Sequence, residues 1–170
     1  MATKRRPLII GTAAAAVVLL GVLGGWLIWG GDDDVEPRAR VYRDVTACLL
    51  TDQAGLRGEP AASAWAGMQK ASVAHAVRVQ YQTVSGAQTE ENALTYFNAM
   101  ALQKCSVIAA AGEAPRGAVV AGGAKFPDIR YVLVGGAANE VPGASEVELV
   151  PAEPSGDVTN ALDRIVSALV

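Results

Sequence analysis

The sequence predicts an α/β domain: a single flavodoxin-like (Rossmann-like) three-layer lobe with a parallel five-stranded sheet in the order 2-1-3-4-5. Strand and helix patterns alternate from Val45 to the last residues, which is typical of a parallel sheet covered by helices. The second and fifth predicted strands have one polar face, and the other three are apolar on both faces. Since edge strands have an exposed face, those two strands fit the edges of this order.

The first strand, loop and helix occupy residues 45–70. We expect Pro60 at the first position of the helix, where proline is favoured. Trp65, Met68 and Val73 form its predicted inward face. The loop between strand and helix leaves the carboxyl end of the strand, which is where open α/β sheets place their ligands.

The second strand and second helix follow. Residues 76–84 alternate apolar and polar side chains, which predicts an edge strand. His75, the only histidine, precedes this strand and is predicted to lie on the surface. Residues 89–104 form the second helix, with Glu90 and Glu91 in its first turn, as the helix dipole favours.

The remaining elements complete the sheet. Residues 105–112 predict a central strand, and residues 115–125 a short helix that ends early at two glycines. Residues 129–136 and 147–150 predict the fourth and fifth strands. Ser155 is the predicted cap of a final amphipathic helix.

The N-terminal part predicts one transmembrane helix ahead of the domain. Residues 8–29 contain no charge and would extend about 33 Å as a helix, enough to cross a bilayer. Cations precede this run and three aspartates follow it, so the positive-inside rule places residues 1–7 in the cytoplasm. Residues 30–42 form a linker, and residues 43–170 form the extracytoplasmic domain. The alternative is a cleaved signal peptide.

Charge excludes one class of partner. The overall charge of −3 includes three cations ahead of the apolar run, Lys4, Arg5 and Arg6, so the rest of the chain carries −6. The other basic residues are scattered singly and form no patch in the sequence. We therefore expect no binding to nucleic acid.

The stretch around the first loop resembles the opening of the basic membrane protein (BMP) family, which comprises nucleoside-binding lipoproteins of the type 1 periplasmic-binding-protein fold. The matching residues are Thr51, Asp52, Gly55, Ser63 and Gly67, together with residues 126–135. The resemblance covers about Arg43 to Gly136 and implies the N-terminal lobe of a substrate-binding protein. Residues 56–61 replace the family's cluster that binds nucleobase and ribose, so the resemblance leaves the ligand open.

Four residues are the candidate ligand-binding set: Asp52, Gln53, Glu113 and Arg116. They lie on loops that follow the first and third strands, so they should line one rim of the sheet. Asp52 has two interpretations, a ligand acceptor or a cap of its own loop, and the charges of Glu113 and Arg116 could simply be solvated.

No catalytic, metal-binding or cofactor-binding pattern is present in the sequence. A single histidine cannot supply a histidine triad or a multi-histidine metal site. The spacing of Gly112 and Gly117 resembles a phosphate-binding loop, but Ala118 occupies the position of the lysine. We therefore expect a protein that is not an enzyme and needs no cofactor.

Cys48 and Cys105 are the only cysteines and fall on the predicted first and third strands, which are neighbours in the sheet. An extracytoplasmic location would allow them to form a disulfide. The alternative is two buried free thiols, since neighbouring parallel strands are not always in a suitable register.

Together these patterns predict a membrane-anchored, single-pass, non-enzymatic module. The resemblance to the BMP family implies that it captures or senses a small molecule, as the substrate-binding proteins of ABC transporters do. The alternative is a scaffold or interaction subunit of an envelope or transport complex without a small ligand. Its partners would be the membrane, a small molecule, and a second copy of the chain or another envelope protein.

Overall fold

A computed structural model describes residues 41–136 and 147–170. Its five strands form one parallel sheet in the order 2-1-3-4-5, which confirms the predicted topology. The strands are β1 (Thr46–Thr51), β2 (Arg78–Thr83), β3 (Val107–Ala111), β4 (Arg130–Val134) and β5 (Val147–Val150). The predicted edge strands, β2 and β5, are the edges of the sheet.

Within the described residues, four helices connect and cover the strands. They are α1 (Ala61–His75), α2 (Glu90–Leu102), α3 (Glu113–Gly122) and α4 (Ser155–Ser167). Short 3-10 turns at Gly55–Arg57 and Gly123–Lys125 follow β1 and α3. This element order is the predicted alternation of strands and helices, and the chain therefore forms a three-layer α/β domain.

The hydrophobic core lies on both faces of the sheet. Leu49 of β1 packs with Met68 of α1 and Leu162 of α4 on one face. Phe97 of α2 and Tyr131 of β4 pack in the cluster on the other face. All five residues of β3 are buried, as expected for a central strand covered on both sides.

A close helix–helix contact on the first face requires glycine at position 67. A Cβ at Gly67 of α1 would overlap the carbonyl oxygen of Thr159 and lie 3.0 Å from the backbone nitrogen of Asp163. Only glycine lets α1 approach α4 this closely. Ion pairing between Lys70 and Asp163, at 2.7 Å, spans the same two helices.

Some predicted details of the helices are wrong. Val73 is 71% exposed, so the inward face of α1 contains Met68 and part of Trp65 but not Val73. Pro60 is the N-cap of α1 and not its first residue. Pro154 is likewise the N-cap of α4, and Ser155, the predicted cap, is its first residue.

The predicted membrane segment, residues 8–29, lies outside the described residues, as do the tail at residues 1–7 and most of the linker. Within residues 41–136 and 147–170, no helix is long and apolar enough to span a bilayer. The sheet and its helices lie within the predicted domain, residues 43–170.

Candidate functional site

The ends of the strands are in register, which brings the loops after them to one edge. Thr51 of β1 is aligned with Thr83 of β2 and with Ala111 of β3, and Val134 of β4 is aligned with Ala111 and with Val150 of β5. We call this end of the sheet, where the carboxyl ends of the strands lie, the carboxyl edge; it is distinct from the lateral edges formed by β2 and β5. All four predicted ligand-binding residues follow β1 or β3 at this edge.

Asp52 both caps its loop and presents a second oxygen. Its Oδ1 accepts a hydrogen bond from the backbone N–H of Ala54 at 2.9 Å, and its carbonyl accepts one from Gly55 at 3.0 Å. Within the described part of the chain, no donor reaches Oδ2. The two interpretations of Asp52 from the sequence are therefore compatible, since each uses a different oxygen.

Gly112 makes room for Asp52. It follows β3 with φ of +107°, and a Cβ placed on it would lie 3.0 Å from Cβ of Asp52 and 3.1 Å from its Oδ2. Any larger residue would be strained in this backbone conformation and would press on the carboxylate. The loops after β1 and β3 are thus in contact through these two residues.

Gln53 contributes through its backbone. Its N–H donates to Oε1 of Gln88 at 3.0 Å, and its side chain is exposed. Gln88 in turn donates from Nε2 to the carbonyls of Val84 at 3.0 Å and Gly86 at 3.1 Å. Gln88 therefore ties the loop after β1 to the loop after β2.

Glu113 and Arg116 line a groove between the first turns of α2 and α3. The groove has a volume of about 450 Å³ and is lined by these two side chains together with Gln88, Thr89 and Glu90, and by small or apolar residues of α3. Glu90 packs on α3, because a Cβ at Gly117 would lie 3.1 Å from its Oε2. We call Asp52, Gln53, Gln88, Glu90, Glu113 and Arg116 the carboxyl-edge site.

Arg116 also reaches across to β4. Its Nη1 lies 3.5 Å from the carbonyl oxygen of Val134, the last residue of that strand. The predicted rim therefore has two parts, the loop that carries Asp52 and the groove that Arg116 lines. Gln88 connects them, since it bonds to Gln53 and also lines the groove.

The site offers mainly acceptors. Asp52, Glu90 and Glu113 carry carboxylates, and Arg116 is the one cation among the named residues of the site. A small polar molecule with several hydrogen-bond donors fits this chemistry. No group of three or more metal-binding side chains comes together within residues 41–136 and 147–170.

Sequence reasoning missed Gln88 and the position of Glu90 in the groove. Neither belongs to a recognisable motif, and their roles arise from where the loop after β2 folds back. One signal was available, since both residues lie between the predicted end of β2 and the first turn of α2, and such loops meet at the carboxyl edge.

The two cysteines lie away from this site and form a disulfide in the structure. Their Cα atoms are 6.0 Å apart, and both side chains are buried. Cys48 lies on β1 as predicted, whereas Cys105 lies two residues before β3 and not on it. Nε2 of Gln80 on β2 is 3.2 Å from Sγ of Cys48 and 3.6 Å from Sγ of Cys105.

Comparison with known proteins finds structures with a similar fold but identifies no family. No protein-family model matches the sequence, and no curated protein matches it. A fragment assigned as a lipoprotein from Peptoclostridium difficile 630 has a similar structure, with a TM-score of 0.61 and 11% identity over 74% of this chain and 99% of that one. A solute-binding protein of an ABC transporter from Aeropyrum pernix K1 has a TM-score of 0.51 and 19% identity over 62% of this chain.

The second comparison covers only part of the other protein. The matched region is 28% of the Aeropyrum pernix chain, so this chain spans little more than a quarter of it. At such identities the similarity concerns the fold alone. The chain has an α/β fold that is shared with part of a solute-binding protein.

Proposed function

We propose that this domain is a non-enzymatic binding module that holds a small polar molecule at the carboxyl edge of its sheet. The observation that carries the proposal is the position of the four predicted residues. Asp52 and Gln53 follow β1, Glu113 and Arg116 follow β3, and Gln88 joins the two pairs. Ligands of open α/β sheets bind at this edge.

The groove has the dimensions of a ligand site. Its volume of about 450 Å³ falls within the range of small-molecule pockets, roughly 300–1,000 Å³. The carboxylates of Glu90 and Glu113 would accept hydrogen bonds from hydroxyl or amino groups of the ligand, and Arg116 would donate to an oxygen. Oδ2 of Asp52 would accept a further bond from the side of the loop after β1.

The proposal also concerns the class of protein to which the domain is related and its location at the membrane. The resemblance of residues 43–136 to the BMP family supports the N-terminal lobe of a substrate-binding protein, and the fold shared with part of a solute-binding protein supports the same class. The apolar run at residues 8–29 supports a single-pass anchor with the domain outside the cytoplasm. Capture or sensing of a solute at the membrane is the corresponding role.

A thermal-shift screen tests the proposal directly. The purified full-length chain would be screened with nucleosides, sugars, amino acids and polyamines. A ligand present at about 100 times its Kd stabilises a protein by about 2.7 kcal/mol, which would raise Tm by about 10 °C for a domain of this size. The isosteric variants Asp52→Asn and Glu113→Gln should reduce the shift.

A control lies at the opposite side of the sheet. Lys125 is exposed between α3 and β4, so Lys125→Gln should leave the shift unchanged. No stabilisation by any compound, or equal shifts in all variants, would contradict the proposed site. Turnover of a ligand that Asp52→Ala abolishes would contradict the absence of catalysis.

A second candidate function is an interaction subunit, and the exposed side of β2 favours it. Tyr81 on this edge strand is 48% exposed and stacks edge-on against Trp65 of α1, with ring centroids 5.3 Å apart. An edge strand with an accessible aromatic pair could pair with a second copy or with another envelope protein. Sedimentation of the full-length chain and of Tyr81→Lys would detect a dimer through this edge and its loss.

A further inference from the structure

The charges of the domain are segregated along the direction of the strands. The carboxyl edge carries a net charge of −5 within the described residues, from seven acidic and two basic side chains: Asp52, Glu59, Glu90, Glu91, Glu113, Glu153, Asp157, Arg57 and Arg116. The opposite side, where the strands begin, has a net charge of +3, from five basic and two acidic side chains: Arg43, Arg78, Lys104, Lys125, Arg130, Asp44 and Asp128.

We call this opposite side the amino-end face. Its members are residues 41–44 before β1, residues 76–78 at the start of β2, residues 102–106 before β3 and residues 125–130 before β4. The remaining charges of the described residues cancel in two cross-element pairs, Lys70 with Asp163 and Arg164 with Glu148. The charge separation is therefore a property of the two ends of the sheet.

Three cations of the amino-end face are accessible. Arg43, Lys104 and Lys125 are exposed, and none of them forms an ion pair with another described residue. Arg78 is different, since its Nη2 lies 3.0 Å from Oδ1 of Asp44. The face thus presents at least three exposed positive side chains that form no ion pair with a carboxylate of residues 41–136 or 147–170.

The same face exposes large apolar side chains. Val41, Leu102 and Tyr42 of this face are 87%, 75% and 44% exposed, and Val73, two residues before the end of α1, is also exposed. The helix dipole accounts for acidic residues in the first turns and cations near the last turns of helices, but it gives no reason for exposed aliphatic side chains. Cations interleaved with apolar side chains are instead the composition of surfaces that lie on anionic membranes.

The chain enters the domain at this face. The described residues begin at Val41, and the predicted linker before them, residues 30–42, could extend about 45 Å at most. A folded domain of about 130 residues is nearly that wide. With the anchor of the proposed function, a linker of this length would hold the domain within about 45 Å of the membrane, where the charges at its two ends would bias its orientation.

We propose that the amino-end face docks on the anionic headgroups of the membrane to which the chain is anchored, and that the carboxyl-edge site faces away from the bilayer. The proposal rests on the anchor in the proposed function and adds the orientation of the domain. Each cation near an anionic bilayer favours contact about fivefold, so Arg43, Lys104 and Lys125 together favour the docked orientation about a hundredfold. The net charge of −5 at the carboxyl edge disfavours the inverted orientation.

Site-specific photocrosslinking tests the orientation in the full-length chain. The chain would be reconstituted into vesicles of phosphatidylcholine with about 30% phosphatidylglycerol. A benzophenone side chain would replace either Leu102 at the amino-end face or Gln53 at the carboxyl edge, both of which are exposed. We expect lipid adducts from position 102 at about ten times or more the yield from position 53.

Charge reversal tests the cause of the docking. The triple variant Arg43→Glu, Lys104→Glu and Lys125→Glu should lower the yield at position 102 to that at position 53, and Arg57→Glu at the carboxyl edge should leave the yield unchanged. Raising the salt from about 0.1 M to about 1 M should lower the yield in the unmodified sequence, because the Debye length shortens from about 10 Å to about 3 Å. That measurement does not depend on the folding of the triple variant.

Three results would overturn the proposal. Equal adduct yields at positions 102 and 53 would show that the domain has no preferred orientation, and yields unaffected by salt would exclude docking through charge. Release of the chain from vesicles by alkaline carbonate would show that residues 8–29 do not span the bilayer, and the docking proposal would then fail as well. Since ligand binding is measured separately by thermal shift, loss of the orientation would leave the carboxyl-edge site standing.

Discussion

Removal of the link between Cys48 and Cys105 is the change whose cost the structure determines best. The disulfide joins residues separated by 57 positions in sequence and closes the loop that contains α1, β2 and α2. In the chain-entropy model, a closed loop of this length stabilises the folded state by about 4 kcal/mol. For a domain of about 130 residues, a loss of that size lowers Tm by about 15 °C.

The comparison of oxidised and reduced protein isolates the cross-link, because both forms retain the two buried sulfur atoms. Thiol titration in denaturant should find no free thiol before reduction and two after it. Denaturant unfolding of each form should then give free energies of unfolding that differ by about 4 kcal/mol. A difference below about 0.5 kcal/mol, or two free thiols without reductant, would refute the reasoning.

Three further predictions concern the carboxyl edge and the core. Gly112→Ala should lower the free energy of unfolding by about 1–3 kcal/mol because of its φ of +107°, whereas Gly156→Ala, with open space around it, should not. Thr89→Ala removes the side-chain cap of α2 and should cost about 1 kcal/mol in denaturant unfolding, with the exposed Thr95→Ala as control. Burial raises the pKa of the Tyr131 hydroxyl from its ordinary value near 10 to about 12. The neutral hydroxyl therefore contributes its full stabilisation below about pH 10, and this contribution is lost as the pH rises through about 12. Tyr131→Phe should remove that alkaline decline in denaturant midpoints.

The topology could be predicted from the sequence because the pattern of apolar and polar residues in each strand depends on whether the strand is central or at a lateral edge. The five buried residues of β3 and the mixed exposure of β2 are direct consequences of central and edge positions. The inward face of α1 was harder to predict. Its buried positions are mostly Ala, Ser and Gly, so the burial of Gly67 and the exposure of Val73 give the helix no clear apolar stripe.

The candidate site could be predicted in part. The positions of Asp52 and Glu113 follow from the rule that loops meet at the carboxyl edge, since each lies just after a strand. The reach of Arg116 toward Val134 and the bridge from Gln88 to Gln53 depend on side-chain conformations and on the fold of the loop after β2. No periodic pattern encodes such contacts, because they join residues of different elements that are 18 and 35 positions apart in the sequence.

Amide chemical shifts test the central claim, that a small polar ligand binds at the carboxyl edge. The compound that stabilises the full-length chain most would be titrated into labelled protein. The largest shifts should occur at Gln53, Gln88 and Glu113, and Asp52→Asn should weaken binding by about tenfold, as expected for the loss of one hydrogen bond to a charged group. Shifts confined to Tyr81 and its neighbours on β2, or the same affinity in Asp52→Asn, would contradict the account.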